Sequence, residues 1–409
     1  MDVFHLLSVL IVLSAGFAYI NYRILKLPNV IGLMLVSLLF SLLILLAGFF
    51  FPAFKNLVAF QMNSINFSEL LLEGMLSFML FAGAIQINYE DLKHEKLTIL
   101  LLSTISVILS TFIIGFASFY LLNIFGLHVK LIHSLLFGAL ISPTDPISVL
   151  SILKRTGISK SLETKIAGES LFNDGVAVVL FMTILQIAKS GEDIEIGGIL
   201  MLFGQEAIGG ILLGVILGFI GYKLFTSIDN YQVEVLITLA IVMGGYTCAH
   251  YIHVSGPLAM VAAGLITGNH SKNFGMSVIT TEYIDKFWEL IDEILNATLF
   301  VLIGLELLVI QTNQRILMVS IMLIAIALLT RYISVWIPSF AIRQKEKINR
   351  RTLIILTWGG LRGGISIALA LSIYPSFDRE IWVTITYVIV CFSILVQGLT
   401  IGRLAKRLK

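Results

Sequence analysis

Gly168-Glu169-Ser170-Leu171-Phe172-Asn173-Asp174-Gly175 sits in the middle of a mostly apolar run over 162–188. That run is long enough to cross the roughly 30 Å of hydrocarbon in a bilayer as one helix. Ionisable side chains at such depth are costly and persist where they face protein or a water-filled cavity. At helical spacing Glu169 lies over Asn173 and Ser170 over Asp174, giving two adjacent polar stripes turned toward the protein interior. A carboxylate, a hydroxyl and an amide together suit a small hard cation, which prefers oxygen. The plainer alternative is that the same groups only cross-link helices.

Outward from this stretch, the whole chain reads as membrane-embedded. Its 409 residues are 58% hydrophobic and only 13% charged, against about 25% charged in a typical soluble domain. A water-soluble fold of that composition would expose large apolar surfaces. Hydropathy and helix breakers divide the chain into thirteen spans near 4–21, 28–50, 69–87, 97–122, 131–153, 162–188, 198–225, 232–250, 256–269, 284–310, 315–340, 351–374 and 381–402. The span at 256–269 is short. The first lacks a basic leader and a small-residue cleavage site, so it is expected to be retained as a helix. Cys248 and Cys391 have no metal or redox spacing.

Basic residues set the orientation. Of the 27 Lys and Arg, 20 fall on one set of alternate loops together with the C-terminal tail, and five fall on the other set. The remaining two, Arg331 and Arg362, lie inside spans eleven and twelve. The bias predicts an external N-terminus and a cytoplasmic C-terminus. No loop is long enough for a soluble domain, so one membrane domain over 1–409 is expected.

Span five contains Ser142-Pro143-Thr144-Asp145-Pro146, and two prolines three residues apart cannot continue a regular helix. Broken backbone at membrane depth is tolerated where it lines a cavity or is buried in protein. Thr144 and Asp145 would then offer hard oxygen ligands, unless the motif is a simple proline kink with a capping Asp. Span twelve contains Trp358-Gly359-Gly360-Leu361-Arg362-Gly363-Gly364, which predicts a second broken helix with a charge balancing the site. Spans five and twelve are seven apart, as inverted repeats require.

Other polar groups read as structural. Gly210, Gly214 and Gly218 form a small-residue packing face. Glu282, Asp285, Glu289, Asp292 and Glu293 recur along the start of span ten, either as a solvated face or as an acidic mouth. His250 and His253 sit at an outer boundary, Glu69 and Glu73 open span three, and Glu306 lies further out than the central carboxylates.

The Thr144-Asp145-Pro146 break, the Gly168–Gly175 stretch and Gly359-Gly360-Leu361-Arg362-Gly363 together resemble the NhaP-like bacterial sodium/proton antiporters, relatives of the animal sodium/proton exchangers. The order and separation of the motifs match over nearly the whole chain. The resemblance implies an all-α polytopic fold of inverted repeats, two broken crossing helices in a core domain (69–189 and 284–402), a dimerisation part (1–50 and 198–269), a homodimer, and elevator-type alternating access. It implies that Asp174 binds cation and proton in competition, with Asn173, Ser170, Thr144 and Asp145 completing the Na⁺ site and Arg362 supporting it. Glu169 would pair with Arg331, although Arg362 competes for it on the sequence alone. Some archaeal members carry an acidic residue where this chain reads Phe81-Ala82-Gly83, which puts a carboxylate from span three in doubt here.

With Asn173 neutral beside Asp174, one titrating carboxylate implies electroneutral exchange of one Na⁺ for one H⁺. Li⁺ or K⁺ could replace Na⁺, a potassium/proton antiporter being the nearest alternative. The expected setting is the cell inner membrane and its lipid bilayer, with no cofactor and no nucleic acid. The rivals from other classes are a cation channel and an intramembrane hydrolase with paired carboxylates. No His-Glu-x-x-His motif supports the hydrolase.

Overall fold

The computed structural model describes residues 3–51, 70–145, 147–190, 196–308, 310, 313–340 and 348–408. Glu69 and Pro146, and the loop cations Lys55, Arg343, Lys345, Lys347 and Lys409, lie outside them. Every regular element among the described residues is helical. Among the described residues, eight helices are long and apolar enough to cross a membrane, from Leu7–Leu25 to Arg379–Arg407, and Leu76–Ile85 and Leu131–Ile141 are shorter apolar helices.

The two breaks expected from proline and glycine are present. Leu131–Ile141 stops before Pro143, and Ile147–Thr156 resumes after it. Arg350–Trp358 stops before the glycine cluster, and Gly364–Ser372 resumes beyond it. The interrupted segments meet in an isolated antiparallel bridge between Asp145 and Leu361, where the Asp145 N–H donates to the Leu361 carbonyl at 2.8 Å. Each break frees backbone groups that hydrocarbon cannot satisfy, and this pairing satisfies some of them.

Glycine lets the second break come this close. A Cβ on Gly363 would stand 2.6 Å from the Asp145 side chain, and one on Gly360 would stand 2.7 Å from Arg331 Nε. The four glycines around Arg362 thus mark places where side chains from other helices press onto bare backbone.

Around this crossing, Ile105–Ile124 packs on Leu131–Ile141 and on Gln314–Ser339, which in turn packs on Arg379–Phe392. On the other side, Ile196–Phe225 lies on Gly256–Ile266 through the expected glycine face: a Cβ on Gly210 would meet the Ser255 carbonyl at 2.5 Å, and Gly218 faces Ile266. Gly256–Ile266 is short, as its sequence implied, and runs into a π-helical turn over Thr267–Ser271. It is nearly all buried, sandwiched between Ile196–Phe225 and Leu76–Ile85. Asn29–Phe50 is fastened to Val278–Glu306 by Ser37 and Ser41, whose hydroxyls donate to the Val301 and Gly304 carbonyls at 2.8 Å each.

Candidate functional site

The site forms where the Lys160–Ser190 helix passes the first break. Asn173 and Ser170 both turn onto Thr144. The Asn173 amide Nδ2 donates to the Thr144 hydroxyl at 2.9 Å, and its Oδ1 faces the Thr144 N–H at 3.5 Å. The Ser170 hydroxyl donates to the Thr144 carbonyl. Thr144 has no helical neighbours to hold it, and these three contacts fix its orientation instead.

A cavity of about 590 Å³ reaches this point, lined by Thr144, Asp145, Ser170 and Asp174. Gly83 of the Phe81-Ala82-Gly83 stretch also lines it, whereas Ala82 is fully buried outside it. The cavity continues past Asp292 toward a rim of Asp91, Lys154, Lys160 and Glu163. Asp174, eight per cent exposed, lines the same cavity as Thr144 and Asp145 of the broken segment. Asn173 does not line the cavity and is fully buried behind it. Its contribution within the site is therefore to hold Thr144 rather than to face the cavity.

Five residues before Asp174, Glu169 points elsewhere. Its carboxylate meets the Arg331 guanidinium at 2.5 Å, and both side chains are almost wholly buried. Arg331 Nε also faces the Leu356 carbonyl at 3.4 Å, so the pair joins the Lys160–Ser190 helix to Gln314–Ser339 and to the end of Arg350–Trp358. Arg362 takes a different partner. It donates through one guanidinium nitrogen to the carbonyls of Ser142 and Pro143, at 2.8 and 2.9 Å. A guanidinium thus satisfies the carbonyls left free by the first break, next to Thr144 and Asp145 in the chain.

Several residues emerge here that their sequence context did not single out. The Arg362 N–H donates to Ser393 Oγ at 2.9 Å, Ser393 donates to Gln397 Oε1 at 2.8 Å, and Gln397 Nε2 returns to the Trp358 carbonyl at 2.9 Å. This chain of bonds ties the second break to the last helix. The only signal in the sequence was a Ser and a Gln four apart in an apolar run. Of the acidic series at the start of Val278–Glu306, Glu282 pairs with Lys286, Asp285 pairs with Lys272, and Asp292 turns into the cavity. Glu306 is buried away from that cavity. His250 and His253 are exposed, as their boundary position suggested.

Comparisons with known proteins agree with this architecture. The chain is 46% identical over 408 residues to the Na(+)/H(+) antiporter NhaP of Pseudomonas aeruginosa, covering 98% of this chain and 96% of that one. It is 34% identical over 417 residues to the Na(+)/H(+) antiporter NhaH of Halobacillus aidingensis, covering 100% of this chain and 98% of the relative. Its fold matches the sodium proton antiporter MjNhaP1 of Methanocaldococcus jannaschii with a TM-score of 0.77 at 20% identity, over 99% of this chain and 98% of that one. Residues 9–407 match the model of the family described as sodium/hydrogen exchanger, transmembrane. By its breaks, its buried polar helix and that match over nearly its full length, the chain belongs to the transmembrane sodium/hydrogen exchanger family.

Proposed function

We propose that this protein exchanges Na⁺ for H⁺, one for one and without net charge movement, across the cell inner membrane. The observation that carries this is Asp174: one carboxylate, beside neutral Asn173, facing a cavity shared with Thr144, Asp145 and Ser170. Carboxylate and hydroxyl oxygens suit a small hard cation, and a proton competes for the same carboxylate. Binding either ion at Asp174 excludes the other, and that exclusion is the coupling. The names of the relatives support Na⁺ as the cation.

Thirteen crossings, an external N-terminus and a homodimer complete the proposal. The cavity rim carries Lys154 and Lys160, which charge bias assigns to the cytoplasm, so the site here faces inward. The protein moves as an elevator, and packing favours a narrower mobile core than the sequence divided. Leu76–Ile85 and Val278–Glu306 pack chiefly on Gly256–Ile266 and Asn29–Phe50, which groups them with the dimerisation part. The mobile core is then 96–190 and 314–407.

The test is ion flux in proteoliposomes. A Na⁺ gradient should drive H⁺ in the opposite direction, and a pH gradient should drive Na⁺. Dissipation of either gradient without the counter-ion would indicate a channel and overturn the proposal. No flux under either gradient would overturn it equally.

A further inference from the structure

A second cavity, of about 500 Å³, lies between Val3–Ile20, Asn29–Phe50, Ile147–Thr156 and Val278–Glu306. Asp292 and Ser151 line both this side pocket and the cavity that leads to Asp174. Two of the residues in its walls, Asn296 and Ser14, are only 4% and 6% exposed and carry buried oxygens, Oδ1 and Oγ, with no hydrogen-bond partner. Buried polar atoms are rarely left unpaired, so two in one pocket call for an explanation.

The Asn296 amide cannot be turned around to hide its oxygen. Its Nδ2 already donates to the Asp292 carbonyl at 2.8 Å and to Asp292 Oδ1 at 3.0 Å, and an amide oxygen in that place would meet two acceptors. Oδ1 must therefore face away from Asp292's backbone with nothing to bond. Asp292 makes no ion pair with Lys or Arg among the described residues. Arg155 and Glu293, one residue of each charge, also line the pocket. What is left is a carboxylate with no ion pair among the described residues and two residues with orphan neutral oxygens, all three in the walls of a space large enough for an ion with part of its water shell.

We propose that Asp292, Asn296 and Ser14 form a second, weaker site for a partly hydrated monovalent cation, a staging point beside the inner cavity that supplies Asp174. The inference rests on Asp174 as the carrier but concerns access to it. Oxygen ligands of this kind hold hard cations, and a negative group in a narrow cleft raises local cation concentration and on-rate.

Everted membrane vesicles, whose cytoplasmic face is outermost, test this by titrating Na⁺ against proton release. Asp292→Asn should raise the half-saturating Na⁺ concentration about tenfold at low ionic strength, the lower end of the effect of such focusing. The effect should fall on KM rather than kcat, and Asp292→Glu should restore the original value. Ser14→Ala removes only a neutral hydroxyl, and Asn296→Leu removes a neutral amide whose Nδ2 also holds Asp292; each should shift KM the same way by a smaller factor. A purely structural role would instead lower the amount of folded protein or kcat. Unchanged KM in Asp292→Asn and Asn296→Leu overturns the proposal. If Asp292→Asn does not fold, binding of radiolabelled Na⁺ to purified Asp174→Asn protein decides: residual weak binding that Asn296→Leu weakens further supports the site, and its absence, or no change on adding Asn296→Leu, overturns it. Exchange that survives in Asp174→Asn would overturn the carrier assignment, a different result from any of these.

Discussion

Glu169 and Asp174 are both buried carboxylates on the Lys160–Ser190 helix, five residues apart, yet they have opposite surroundings. Glu169 is closed in a contact with Arg331, outside the lining of the cavity that Asp174 faces. Asp174 faces a water-accessible space beside a broken helix. Depth in the membrane is the same problem for both, and the helix solves it twice: once with a permanent counter-charge, once by leaving the counter-charge to be supplied from solution. A carboxylate with a built-in partner is not free to exchange ions. One that faces a cavity without such a partner is, which is the role proposed for Asp174.

The largest expected effect breaks the comparison on its open side. Asp174→Asn should reduce Na⁺/H⁺ exchange in proteoliposomes to background while leaving the thermal unfolding midpoint near that of the parent protein. Exchange at more than a trace would mean that another group carries the proton. Next comes the closed side. Glu169→Gln and Arg331→Ala should each cost about 3–5 kcal/mol of stability, because each strands the other charge. The double variant should recover part of the loss, and a cycle built from thermal unfolding in detergent measures the coupling. Coupling of Glu169 to Arg362 in place of Arg331 would contradict the geometry.

A smaller change sharpens the open side. Asn173→Leu leaves the Thr144 hydroxyl and N–H without their partner, at a cost of about 1–3 kcal/mol for a buried polar group. It should raise the half-saturating Na⁺ concentration through disorder at Thr144, as a titration of exchange rate would reveal. Smallest is the effect expected of voltage, which is none. With one titrating carboxylate, valinomycin and K⁺ should not change the rate, and a solid-supported membrane should record no sustained current. A voltage-dependent current would bring a second charge into the cycle and end the contrast between the two carboxylates.

Much of the fold could be read from residue order, since proline pairs, glycine clusters and apolar length act locally. The breaks at 143 and 359–363, and the polar stripes of 168–175, are of this kind. Partner choice was not legible in the same way. Helical spacing puts Asn173 beside Asp174 but does not tell that its amide turns to Thr144 while Asp174 meets the cavity. The choice of Arg331 over Arg362 for Glu169 depends on where two helices cross, and only the resemblance favoured it. Asp292 shared its spacing with four exposed or paired acids, and its reach into the cavity follows from how its helix lies on Asn29–Phe50, with the half-helix at 147–156 across a shared pocket.

The bridge between Asp145 and Leu361 is made by backbone atoms, so its tolerance to change alternates along the chain. An apolar exchange at Leu361, such as Leu361→Met, keeps the carbonyl that receives the Asp145 N–H. Two residues later, one added methyl at Gly363 would strike the side chain of Asp145 itself. In a saturating mutational library selected for growth in high salt, position 361 should therefore accept several apolar residues and position 363 almost none. The imprint of the crossing would be a narrow intolerant notch beside a permissive neighbour.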